Sequence, residues 1–147
     1  MKQRILTWAL GVAIPVMAAQ AHHSISAVYD NSKVANLAGV VTQFQFVNPH
    51  PFVMMEVREG NSQVQQWKLE MDTRWELAEI GFNSETLKPG DRLVVTGSLA
   101  RKQSHSLYIR RLERPADGLT MVNENRSPSL TRRPATTAGR PERQLSR

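Results

Sequence analysis

The sequence has no cysteine, so a disulfide, a thiolate metal site and a cysteine nucleophile are all excluded. It has no apolar run of the length that crosses a bilayer as a helix, about 20 residues. The nearest to one is the 13-residue stretch "ILTWALGVAIPVM" at 5–17. A glycine-rich phosphate loop, a nucleophile motif and an internal repeat are also missing. Acidic residues are fewer than basic ones, 13 against 19, an imbalance that by itself points to nucleic acid. Its distribution removes that reading. Lys2 and Arg4 precede residue 22, six arginines lie at 126 and beyond, and 22–125 holds 11 basic and 12 acidic residues. The part expected to fold is nearly neutral and offers no basic groove, so no nucleic-acid partner is expected.

What is present begins with the basic "MKQR", then the apolar run, then Ala19-Gln20-Ala21. These are the three regions of a secretory signal peptide in order. Residues 1–21 are therefore expected to be removed near Ala21-His22, leaving a periplasmic or secreted chain of 126 residues that starts at His22. That length is one domain. A leader is expected over 22–36, a β domain over 37–123 and a basic tail over 124–147. The tail is rich in Ser, Thr, Pro and Arg, and it has too little apolar surface to offset the entropy of ordering it. Disorder is expected there, with weak contact to an anionic surface as its only electrostatic use.

Between the ends, polar and apolar residues alternate as in half-buried strands. In 37–47 the even positions Ala38, Val40, Thr42, Phe44 and Phe46 form the apolar set, opposite Gln43 and Gln45. "NPHP" at 48–51 interrupts the strand, because proline lacks a donor and restricts the residue before it. A second strand puts Val53, Met55 and Val57 on one face. "EGNS" at 59–62 is a hairpin turn, and a third strand aligns Trp67, Leu69 and Met71. In "DTRWELAEIG" Thr73 and Glu76 match a capping box, Trp75, Leu77, Ala78 and Ile80 form an apolar side, and Gly81 ends a short helix. "LKPGD" at 87–91 turns into a fourth strand with Leu93, Val95, Gly97 and Leu99 inward, where the small Gly97 marks a bend or bulge. A fifth strand covers 107–114. The order β-β-β-α-β-β is that of a small five-stranded OB-like barrel, with Phe44 and Trp67 turned inward.

The conspicuous ligand residues are His22, His23, His50 and His105. An N-terminal histidine is special because its free amine and imidazole Nδ1 close one chelate ring on a metal, and the amine pKa of about 7.7–8.0 makes deprotonation easy. An all-nitrogen donor set suits Cu(II). His22 is thus the expected centre of a copper site, completed by His23 or His50. Met54 and Met55 point to opposite faces and are expected to fill space instead. "SHS" at 104–106 gives no triad geometry.

The chain resembles a family of small exported bacterial proteins of unknown function. The likeness rests on "HHS" at 22–24, "NPH" at 48–50, "WKLE" at 67–70, and "LKPGD" at 87–91 with a following "VTG". Members usually have a Ser-Pro element where this chain has "MDTRW", and a Lys-Asp-Gly type turn where it has "RKQSHS". The resemblance implies export and a single domain, and it draws attention to His22, His23 and His50. The function expected is that of a non-enzymatic exported binding protein for Cu(II). The alternative is a β module that takes an envelope protein or a small ligand and holds no metal.

Overall fold

A computed structural model describes residues 25–60, 63–124 and 127–133. The expected signal peptide, its cleavage bond, His22, His23 and the end of the tail lie outside the described residues. In chain order the elements are α1 (Ile25–Val28), β1 (Tyr29–Gln45), β2 (Phe52–Glu59), β3 (Gln63–Glu70), α2 (Arg74–Glu79), β4 (Arg92–Ala100), β5 (Ser106–Arg114), β6 (Leu119–Glu124) and β7 (Ser127–Arg132). The protein is mainly β, with seven strands in one sheet ordered β3-β2-β1-β4-β5-β6-β7. A parallel pairing of β3 with β5, at Lys68–Ser106, Leu69–Leu107 and Glu70–Tyr108, joins β1 to β5 in a cycle of backbone pairing. β6 and β7 extend from the second half of β5.

The alternation in β2, β3 and β4 decides what lies inside. Val53, Met55 and Leu69 are fully buried, as are Leu93 and Val95, and Leu107, Ile109 and Leu112 of β5 meet them. Each such side chain contributes about 1.5–3 kcal/mol by leaving water. Met54, next to the buried Met55, is only partly covered, in keeping with its turn to the other face. β4 shifts register against β5 between Thr96 and Gly97. A Cβ on Gly97 would stand 2.2 Å from the Tyr108 carbonyl oxygen, so glycine is required by this close approach.

α2 forms as its capping sequence dictates. The Thr73 hydroxyl accepts from the Glu76 amide, and the Glu76 carboxylate accepts from the Thr73 amide. At the other end Gly81, with φ of 94°, lets its amide reach the Ala78 carbonyl while the Phe82 amide reaches that of Leu77. Leu77 is buried and Ile80 packs on the core, but Trp75 is 70% exposed, so it does not belong to the apolar side expected of it.

Four expectations are corrected. The sheet has seven strands, not five. β1 begins at Tyr29, so 29–36 is the first part of a strand paired with β4 rather than a leader; Tyr29, Asp30 and Val34 to Asn36 are in register with β4, and 31–33 fall in the register shift between Asp30 and Val34. Within 37–42 the buried residues are Leu37 and Val41, not the even positions. A shift between Val41 and Gln43 moves the inward set to Phe44 and Phe46 only afterwards. Thr42 is the residue left over at this bulge, since Val41 pairs with Met55 and Gln43 with Met54, while on the other edge the Val41 amide and carbonyl bond to Asp91 and Gly90 of the 87–91 turn. Finally, β7 occupies 127–132, inside the stretch expected to be a tail. β6 brings Leu119 and Met121 into the core, and β7 follows by backbone pairing, with Leu130 its apolar contact.

Candidate functional site

The β1–β2 loop carries His50 directly after a cis Asn48–Pro49 bond. Two backbone bonds hold this loop against the end of β3 and the start of α2: the Met71 amide donates to the Pro51 carbonyl and the Arg74 amide to that of Pro49. Arg74 also donates from Nε to the Phe46 carbonyl and lays its guanidinium over the Phe46 ring. The loop is thus fixed at both sides of the histidine.

His50 Nδ1 lies 3.1 Å from the Met71 carbonyl oxygen and 4.0 Å from Glu70 Oε1. Both neighbours are acceptors, so Nδ1 is the donor towards them and Nε2 is the ring nitrogen left for a ligand. This is the tautomer of a metal-ligating histidine with a carbonyl or carboxylate behind it. The side chain is about a quarter exposed, at 26%, which leaves an approach from solvent.

Glu70 is in turn held by the phenol of Tyr29, which donates to Oε2 at 2.7 Å. Tyr29 is the first residue of β1 and is buried. Burial first, and the adjacent Glu70 second, push its hydroxyl well above the usual phenol range, so it remains a donor at any ordinary pH. Tyr29 thus fixes Glu70, whose carboxylate stands 4.0 Å from the His50 ring, near it but beyond direct hydrogen-bond reach.

A second polar group adjoins it. The Tyr108 ring stacks at a tilt on Tyr29, with centroids 5.7 Å apart. Its hydroxyl donates to Asp72 Oδ1 and accepts from Asn123 Nδ2 at 2.9 Å. Asp72 is buried, and this desolvation raises its carboxyl above the ordinary range, against the lowering effect of the Tyr108 bond. Burial, followed by the Asp72 bond, likewise raises the Tyr108 hydroxyl. Asp72 Oδ2 and Asn123 Oδ1 are buried without a partner among the described residues.

His105 has a different place. It sits at positive φ in the β4–β5 loop, its carbonyl accepts from the Lys68 amide, and its ring meets Trp67 edge to face at 5.2 Å. It touches β3 earlier along the strand than His50 does, in the role of a packed loop residue. Among the described residues no three His, Asp or Glu side chains come together to hold a metal. The described part offers one prepared imidazole with its carboxylate support, and a complete nitrogen site needs donors from outside it. Of the three histidines expected to form the copper site, the structure describes only His50; His22 and His23 precede α1. Tyr29, Glu70, Asp72, Tyr108 and Asn123 carry no motif of their own, and Glu70 is marked only by the charged end of "WKLE".

No curated protein and no solved structure matches the chain. A family of unknown function, DUF6152, matches residues 11–108, the span that includes α1, β1 to β4, the His50 loop and the Tyr29–Glu70 pair. With that share of its length matched, the chain belongs to the DUF6152 family.

Proposed function

We propose that this protein is an exported, non-enzymatic Cu(II)-binding module in which the amine and imidazole of His22, with His23, meet the Nε2 of His50. The cycle β1-β2-β3-β5-β4 with a helix after β3 supports an OB-like five-stranded barrel, extended here by the β6–β7 hairpin. In that layout the β1–β2 loop, which bears His50, flanks the binding face.

The observation that carries the reading is the orientation of His50. Its Nδ1 faces the Met71 carbonyl and Glu70, leaving Nε2 to a ligand, and Tyr29 anchors the approaching chain to the same glutamate. The chain ahead of β1 has a reach set by its length. The four residues of α1 span about 6 Å at a helical rise, and 22–24 add up to about 10 Å if extended. Three imidazoles and an amine form a donor set that Cu(II) takes in preference to the other divalent first-row ions.

The test is a Cu(II) titration against a competing chelator, using protein that begins at His22. One copper per chain is expected, with affinity lowered at least tenfold in His50→Ala. Equal copper retention by both proteins would remove His50 from the site. No retention by either would leave the runner-up, a module for a protein or small-molecule partner.

A further inference from the structure

Beyond the cycle of five strands, β5, β6 and β7 form a flap with an open outer face. In register, Glu113 stands opposite Thr120 and Thr120 opposite Thr131; two residues along, Arg111 stands opposite Val122. Alternation places these side chains on one side of the sheet. They floor a groove of about 620 Å³ that Arg132 and Arg133 complete at its rim.

Three guanidinium groups line this groove against one carboxylate, Glu113. Arg111 reaches Glu113 at 2.5 Å while its side chain stays half exposed. Arg132 approaches Asp117 only at 3.6 Å, and Asp117 is already engaged by both forks of Arg114, at 2.9 Å each. Arg133 is exposed. The chain that continues from Arg133 adds Arg140, Arg143 and Arg147 against Glu142. This region lies past residue 108, where the family match ends.

We propose that this face docks on an anionic lipid bilayer, with guanidinium groups and threonine hydroxyls taking lipid phosphates. The chemistry of the lining favours that occupant. Guanidinium pairs with phosphate in two-pronged bonds, and the small floor residues leave a broad, shallow surface suited to an array of separate headgroups. No aromatic side chain lines the groove for a nucleic-acid base to stack on. Nor does it have the deep desolvated pocket that a protein partner's anchor residue fills.

The experiment is co-sedimentation of the full exported chain with vesicles of phosphatidylcholine alone or mixed with phosphatidylglycerol, at low and raised salt. Binding is expected only to the mixed vesicles, with release by salt. The Arg111→Gln, Arg132→Gln, Arg133→Gln triple variant should bind roughly 100-fold more weakly, from three lost cations near an anionic surface. Exposed ion pairs contribute little to stability, so its thermal midpoint should stay close to that of the parent. Parent-like binding by this variant, or complete loss on changing only Arg140, Arg143 and Arg147, would overturn the assignment of the face. So would capture of single-stranded DNA or polyglutamate by a protein that ignores anionic vesicles. Should the triple variant melt early, the unmodified protein decides, because vesicle binding that survives raised salt contradicts the proposal. None of these outcomes depends on copper.

Discussion

Replacing Asp72 by asparagine should stabilise the protein at neutral and alkaline pH. In the native fold Asp72 is buried, one oxygen accepts from Tyr108, and the other has no partner among the described residues. Asn123 bonds to the same phenolic oxygen, and its own Oδ1 is also unpartnered. Each buried polar atom left unpaired costs about 1–3 kcal/mol. In D72N the new amide keeps an acceptor for Tyr108 and loses the buried charge. A gain of about 1–2 kcal/mol near pH 8 follows from removing a buried charge that one hydrogen bond offsets only in part.

The pH dependence provides a second, sharper signature. Burial raises the Asp72 carboxyl above its ordinary 3.8. Between the unfolded and folded values the native state holds more proton than the unfolded state, so this residue's contribution to stability falls as pH rises through that window and then levels off. The substitution has no carboxyl to titrate, so its advantage should shrink toward about pH 4 and grow above it. Urea unfolding of both proteins across that range, with unchanged m, reads the effect directly. If D72N were less stable than the parent near pH 8, the carboxylate would have to be compensated as a charge, and the reasoning from orphaned oxygens would fail.

Gly97→Ala should cost about 3 kcal/mol or more in urea unfolding, because its Cβ would meet the Tyr108 carbonyl oxygen at 2.2 Å and Leu107 Cδ1 at 2.3 Å; a loss below about 1 kcal/mol would contradict the close approach. Tyr29→Phe keeps the ring but removes the donor to Glu70, so it should cost about 1.5 kcal/mol of stability and lower copper affinity by about 10- to 100-fold. A parent-like chelator competition for that variant would mean that Glu70 does not support His50.

The parts of the fold legible in the sequence were those with local causes. The alternation of Val53, Met55 and Val57, the Thr73–Glu76 box and the glycine of β4 each act within a few residues, and each is found as expected. The period-2 pattern in 37–47 gives the wrong phase for the start of β1, because the inward set changes at the bulge at Thr42 in its pairing with β2, and a strict alternation has no place for an extra residue. β7 was missed because its place depends on backbone pairing with β6, to which side-chain composition is nearly blind. The site follows the same rule. The loop carrying His50 is announced by its prolines, whereas Glu70 and Tyr29 meet across 41 residues and Asp72 and Tyr108 across 36, contacts that exist only once β3 pairs with β5.

The most direct test of the copper reading is native mass spectrometry of protein exported by its own signal, before and after Cu(II) addition and challenge with a chelator. A mature mass beginning at His22, with one copper retained and none retained by a methionine-capped form, is the predicted result. A different first residue, or equal retention by the capped form, would contradict a site built on the terminal histidine.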